Sequence, residues 1–350
     1  MSTFTLRRIS ELEPEIVARF LKKAYNVEKS DFLYEYGEWW HRGNENRLTL
    51  LDETGEIVAY CALINAKVLL NGTVHNAVWW MDLIILPEYR GKGLQTILDK
   101  EIRNLNQLKL GFPNILAAKI HQKHNWGVRT EGQRVTFPFS LIAIPRIRSA
   151  KSIKGKLARM VAKLTTPLSK LLYWHLARYR PIHAYIVQSP SAEALAHAFL
   201  HYQSNSDLIT SYRNVDFMRW RYFQAPYFSE LTFYMIGNRD TPQLVLVTRT
   251  LRFGGIQTMR ILDIFGNLED ETGIRDLIRL ALGTAARSKV ERVVAITTVP
   301  KLLSTLKLLG FLLAEDILFC WHSQEESEML AVEHSRSHFT YADSDNDTFF

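Results

Sequence analysis

The chain has 350 residues, with 43 Lys+Arg against 36 Asp+Glu, a formal net charge of +7, 47% apolar residues and two cysteines. That length exceeds one ordinary domain, so two are expected, and the composition is that of a globular protein rather than a disordered or fibrous one. Cys61 and Cys320 give neither a disulfide framework nor zinc spacing, Met1 to Arg8 lacks a signal-peptide core, and no apolar run is long enough to span a bilayer. The expected location is therefore the cytoplasm.

In chain order, Thr5 to Ile9 reads as a first strand. Ser10 then caps a helix through Ile16, Val17, Phe20, Leu21 and Ala24. A second helix is expected from Asp31 to Trp40. Leu48 to Asp52 and Ile57 to Leu70 read as strands, and Asn71-Gly72 is the strongest hairpin signal. Thr73 to Leu86 is the returning strand. It stops at Pro87, turns through Arg90-Gly91-Lys92-Gly93, and continues as a helix with Leu94, Ile97, Leu98, Ile102 and Leu105 on one apolar face. Lys109 to Phe112, a helix from Leu116 to His124, and a closing strand over 137–144 follow.

A strand, a glycine turn and a helix N-terminus present unpaired N–H groups and a positive dipole end to an anion. Glycines let the backbone approach a ligand, and Arg90 and Lys92 add full charge. The stretch reads as a phosphate or pyrophosphate cradle. The alternative is an ordinary strand-to-helix turn with surface charges.

Leu-x-Ile-x-Pro-Glu-Tyr-Arg-Gly-Lys-Gly-Leu over residues 83–94 resembles the acyl-coenzyme A signature of the GNAT acetyltransferase superfamily. Arg90 and Gly93 match, and Gln95 stands where the family usually has Gly or Ala. The element order over residues 3–145 is similar to the GNAT fold. The resemblance implies an α/β (α+β) architecture and acetyl-CoA or another acyl-CoA as donor. It places the pyrophosphate on Arg90, Gly91, Lys92, Gly93, Leu94 and Gln95, and the pantetheine arm along Leu83, Ile84, Ile85 and Leu86.

The second half repeats this order. Asp216-Phe217…Trp220 parallels Asp31-Phe32…Trp39, Leu244 to Phe253 parallels the strand before the hairpin, and Met259 to Phe265 parallels Trp80 to Leu86. A helix, a strand, a helix and Leu309-Gly310-Phe311 close it, as Leu-Gly-Phe closes many GNAT domains. Gly266-Asn267-Leu268-Glu269-Asp270-Glu271 replaces the cradle, and its acids would repel a pyrophosphate. The expected layout is a GNAT domain with the acyl-CoA loop (1–145), a basic helical linker (146–182), a degenerate GNAT-like domain (183–325) and a polar tail (326–350), with a mixed twisted sheet in each domain.

Between Glu131 and Glu193 lie eleven basic residues and no acid; removing those eleven from 43 leaves 32 basic residues against 36 acidic ones. The basic character therefore belongs to this segment. It suits packed helices with a solvated basic face, an anionic membrane surface at the inner face of the membrane, or an acidic partner such as an acyl carrier protein. It has no stacking platform for nucleic acid. The tail reads either as a strand with an acidic turn over residues 338–347, which resembles the ending of tandem-GNAT proteins of envelope-polysaccharide clusters, or as a disordered acidic tail.

Amide formation from a thioester requires an acceptor amine to lose a proton and the thiolate to gain one. The resemblance points to Asp82, eight residues before Arg90, as base, against the alternative of a solvated or paired acid. His121 falls where the family often has a Tyr acid, and Tyr341 is the alternative donor. Trp220, Arg221, Tyr222 and Tyr227 are rich in groups that stack on sugars, or else form the second domain's core. The expected function is an N-acyltransferase acting on a small-molecule or glycan amine, an amino sugar of an envelope polysaccharide being one case. The other readings are an aminoacyl transferase of the peptidoglycan-bridge kind and a non-catalytic acyl-CoA-binding scaffold.

Overall fold

A computed structural model describes residues 4–139, 178–200, 207–253 and 255–343, with positions 160, 175 and 176. The linker expected at 146–182 and the last residues of the tail lie almost wholly outside the described residues. The first half runs β1 (Thr5–Arg8), α1 (Pro14–Ala24), α2 (Val27–His41), β2 (Arg47–Leu51), β3 (Ile57–Leu70), β4 (Thr73–Ile85), α3 (Leu94–Arg103), β5 (Leu108–Gly111), α4 (Ile115–Lys123) and β6 (Gly127–Pro138). The second runs β7 (Ala184–Val187), α5 (Ala192–Phe199), β8 (Leu208–Ser211), α6 (Val215–Met218), β9 (Leu231–Gly237), β10 (Pro242–Phe253), β11 (Ile256–Gly266), α7 (Glu271–Arg287), β12 (Arg292–Thr297), α8 (Pro300–Leu308), β13 (Leu312–His322), α9 (Glu326–His334) and β14 (Arg336–His338).

The helices start where the chain offers caps. Asn26 accepts from Lys29 N, so α2 begins four residues earlier than its apolar spacing alone suggests. Asn114 accepts from the N–H groups of Leu116 and Ala117 at the start of α4. On α3, Leu94, Leu98 and Ile102 are buried against Val58, Cys61, Leu63, Val78 and Trp80. Ile97, expected on the same face, is 37% exposed at its edge.

The two halves share one sheet rather than forming one each. Its order is β1-β2-β3-β4-β5-β13-β6-β12-β11-β10-β9-β7, with β8 and β14 off this path. It reads the same from both ends if each strand of the first half is matched to its counterpart in the second. The closing strands are exchanged: β13 lies beside β5, β6 beside β12, and the two pair antiparallel at the centre. Packing accounts for the exchange. Val135 and Phe137 of β6 are buried with Phe311, Leu302 and Leu306 of the second half, while Phe319 and Trp321 of β13 complete the first half's core around Trp79 and Leu110. Gly127 faces Trp321 across this central pair, where an added Cβ would lie 2.2 Å from the indole.

Residues 336–343 are packed against the sheet. β14 pairs in parallel with β8, which itself pairs with the far end of β3. Phe339 sits against Trp79, Phe112 and Phe319, with ring centroids 5.1, 6.0 and 5.1 Å away. Residues 336–343 thereby lie across the sheet between the two halves.

Candidate active site

β4 and β5 pair only over Ala77–Trp79 with Leu108–Leu110, and then diverge. From Trp80 onward the β5-facing edge of β4 is without a strand partner. A cleft of about 650 Å³ opens there, walled by Trp80 to Ile85 on one side and by Gly111 to Asn114 and α4 on the other. Its outer end is the glycine loop: Arg90, Gly91, Gly93, Leu94, Gln95 and Thr96 line it. This size and mixed lining fit a small-molecule site.

Gly91 and Gly93 both have φ +78, the left-handed region that favours glycine. Among the described residues, no partner is found for the backbone N–H groups of 91–95, whereas Thr96 N bonds Gly93 O. Gln95 Nε2 is also buried without a hydrogen-bond partner. A run of unpaired N–H groups, a buried amide donor, and the exposed Arg90 and Lys92 fit an anionic diphosphate. The loop residues expected from sequence are thus brought together. Leu83, Ile84 and Ile85 lie on the open edge, while Leu86 is buried behind it, its N bonded to Val58 O.

Asp82 sits at a register shift. Ala62 opposes Met81 but Tyr60 opposes Ile84, so β4 carries an extra residue there, and Asp82 takes φ +53. Its residue lines the cleft, yet its side chain is 1% exposed. Lys29 Nζ lies 2.5 Å from Oδ1, His41 Nε2 lies 3.1 Å from Oδ2, and Tyr25 donates its hydroxyl to Asp82 O at 3.0 Å. Burial alone would raise this carboxyl's pKa; Lys29 and His41 reverse that and hold it below the usual carboxylate range. The expectation of a free general base is thereby corrected, because an anion held by two partners accepts a proton poorly. Burial pushes the His41 imidazole down, against the opposing pull of Asp82. Neither Lys29 nor His41 was singled out in the sequence. Nothing in a helical lysine or histidine shows that it points inward until the register of α2 is fixed.

His121 lines the cleft from α4 and is 4% exposed, its ring packed between Trp80 and Trp126 at 4.7 Å from each. Its Nδ1 is 3.8 Å from Oδ1 of Asp99, a fully buried residue of α3 that also accepts from Trp126 Nε1 (2.9 Å) and Arg103 Nε (2.7 Å). Cys320 is part of the cleft wall, and burial pushes its thiol up, as it does that of Cys61.

Tyr341 is not brought to the cleft. It is 3% exposed and packs with Leu262, Val294, Ile296 and Ile317, so it is a core residue rather than a proton donor. The four aromatic and basic residues expected to hold the acceptor are also buried. Trp220 and Trp39 exchange indole N–H bonds to each other's backbone carbonyls at 2.9 and 3.2 Å. Arg221 bonds Ala342 O (2.9 Å) and Tyr227 Oη (2.5 Å), Tyr222 donates to Asp263 at 2.8 Å, and Arg249 covers the Tyr227 ring. They tie the second half to Trp39 and to Ala342; Trp220 reaches an opening beside Trp39 and Arg42.

Residues 5–128 match the family model described as an acetyltransferase (GNAT) domain. No curated protein matches the chain. Solved structures of similar fold include N-myristoyltransferase from Saccharomyces cerevisiae with bound myristoyl-CoA, at 14% identity and TM-score 0.62 over 92% of this chain and 83% of that one. A GCN5-related N-acetyltransferase from Anabaena variabilis is 14% identical with TM-score 0.55, over 91% and 72%. A protein from Enterococcus faecalis described as a probable N-acyltransferase is 11% identical with TM-score 0.55, over 91% and 72%. At these identities the likeness is one of fold.

Proposed function

We propose, on the premise that residues 5–128 form a GNAT acetyltransferase domain and that the chain is an N-acyltransferase, that the donor is acetyl-CoA and the acceptor a small-molecule or glycan amine. The observation that carries this reading is the cleft between β4 and β5 ending on unpaired N–H groups and the buried amide of Gln95. The loop residues 90–95 would hold the pyrophosphate, and the open edge of β4 at Leu83 to Ile85 would pair with the pantetheine arm. The bound donor supplies an activated acyl group. Backbone N–H groups of that edge would support the oxyanion.

In transfer, the amine nitrogen forms a bond to the acyl carbon, the carbon–sulfur bond breaks, the amine gives up a proton and the sulfur takes one. Asp82 serves as a fixed anion that holds the β4 bulge with Lys29 and His41. The amine's proton would go to solvent at the cleft mouth, and His121, which lines the cleft, would supply the proton that the sulfur takes. An amino sugar remains the acceptor we favour, with the acceptor site in the open part of this cleft rather than at Trp220, Arg221, Tyr222 and Tyr227.

The second half is, on this reading, a degenerate copy. In place of the glycine loop it has Asp270, whose Oδ1 caps α7 by accepting from Gly273 N at 2.9 Å. A carboxylate there takes the place of a phosphate. The retained loop in the first half argues against an aminoacyl-tRNA donor. Calorimetry with acetyl-CoA, followed by an acceptor screen read by thiol release, tests the reading. Absence of binding at millimolar acetyl-CoA sinks it; binding without turnover on any amine leaves the scaffold reading standing instead.

A further inference from the structure

Asp99 is a charged residue of α3 with no solvent exposure, one helical turn beyond Gln95. Residues four apart share a helix face, so the helix that begins at the anion loop also carries a carboxylate behind the cleft wall, beside His121. Arg103 and Trp126 occupy part of its bonding capacity and fix its orientation. Among the described residues, His121 Nδ1 is buried without a hydrogen bond, and Asp99 Oδ1 lies 3.8 Å from it. Nδ1 is thus the inward nitrogen, and Nε2 is the one left toward the cleft that His121 lines. The indoles of Trp80 and Trp126 prevent the ring from turning away.

We propose that Asp99 is a positioning residue for His121. It draws Nδ1–H inward, so that the ring, protonated from solvent, delivers the proton on Nε2 to the sulfur as the carbon–sulfur bond breaks. The proton lost by the amine goes to solvent, and solvent returns one to His121, so the step balances without another reactant. The inference rests on the acyltransfer reading above. Other ionisable groups face this pair. His124 Nδ1 is 3.7 Å from Asp99 Oδ2, Arg103 is on the same carboxylate, and His322 packs on Trp126 from β13 with Cys320 two residues before it. Arg103 neutralises part of the carboxylate's charge. Its remaining field is directed at His121 and His124; burial alone would raise the Asp99 carboxyl, and His121, Arg103 and His124 outweigh it and hold it below the usual carboxylate range.

The test uses the full chain. In the wild-type protein, 15N spectra of His121 should show Nδ1 protonated in the neutral ring; an Nε2–H tautomer overturns the proposal. In Asp99→Asn, kcat should fall roughly tenfold while the KM for acetyl-CoA stays within about twofold. An unchanged kcat, or a raised KM with unchanged kcat, overturns the role and leaves Asp99 structural. If Asp99→Asn does not fold, His121→Ala decides the proton-donor half: added imidazole should restore rate, and absence of rescue overturns it. A wild-type chain that releases no thiol with any amine defeats the acyltransfer reading. The spectra still report whether the pair exists.

Discussion

Lys29 Nζ and Asp82 Oδ1 meet at 2.5 Å with side chains 8% and 1% exposed, on the wall of the cleft that carries the proposed chemistry. Two charges withdrawn from water this far depend on each other. Removing one leaves the other buried and uncompensated, which costs about 3–5 kcal/mol, whereas replacing both by apolar groups of similar size is often nearly neutral. Lys29→Met and Asp82→Asn should each lower unfolding stability by roughly that amount, and the double variant carrying both should lose well less than their sum. Urea unfolding of the three variants reads the cycle. If the double variant is as unstable as the sum of the singles, the two residues act independently.

Acid stability should report the second buried cluster. His338 is fully buried beside Arg213, and burial, followed by that guanidinium, pushes its pKa down to about 3. Its ordinary value is near 6.5, so between about pH 3 and 6.5 the unfolded chain holds the extra proton. Stability contributed by the neutral ring is whole above pH 6.5 and is lost, at about 1.4 kcal/mol per pH unit, as the pH falls through that window. His41, also pushed down by burial, adds in the same direction. Asp343, pushed up by burial, acts oppositely just above the usual carboxylate range. His338→Gln should reduce the slope of unfolding free energy between pH 4 and 6 by about one proton. An unchanged slope would show that His338 is protonated in the fold.

Arg213 ties the chain's end to the second half. Its guanidinium bonds both oxygens of Asp263 at 2.8 and 3.1 Å and Asp343 Oδ2 at 3.0 Å, all three side chains having no exposure. Arg213→Met would leave two carboxylates buried without a cation, and a loss of about 3–5 kcal/mol is expected. Arg213→Lys should recover little, since a point ammonium cannot reproduce the planar fork. Limited proteolysis should find new cleavage within 336–343 in both variants. Protection equal to wild type would mean that Phe339 and Thr340 hold the segment without the ion pairs.

Alternation, the Asn71-Gly72 turn and the glycine loop made the first half legible from β2 to α4, because each of those signals is local. The exchange of β6 and β13 was not legible. Apolar periodicity says which face of a strand is buried but not which strand lies beside it, and β6 begins at Gly127, ten residues before the strand expected at 137–144. The same limit governs the site. Arg90, Gly91, Gly93 and Gln95 are consecutive or nearly so, and their shared place at the start of a helix could be read from spacing. Lys29, His41 and Asp99 acquire theirs only when α2 and α3 dock on the sheet, and as helical polar residues they resemble any solvated face. Trp220 to Tyr227 were misread for a related reason: aromatic and basic residues that would stack on a sugar also build an interface between two halves.

Gln95 offers the most direct probe of donor binding. Its amide nitrogen is buried among the unpaired N–H groups of the loop without a protein partner. A hydrogen bond to a charged group is worth about 1.5–3 kcal/mol, so Gln95→Ala should weaken acetyl-CoA binding roughly tenfold or more. Gln95→Glu should weaken it further, because it replaces a donor by a carboxylate facing the phosphates. Both variants should bind acetyl-pantetheine, which has no pyrophosphate, as the wild type does. Calorimetry with the two ligands separates the outcomes. Equal weakening toward both would mean that Gln95 supports the cleft's shape rather than the diphosphate, and no weakening toward either would place the diphosphate elsewhere on the loop.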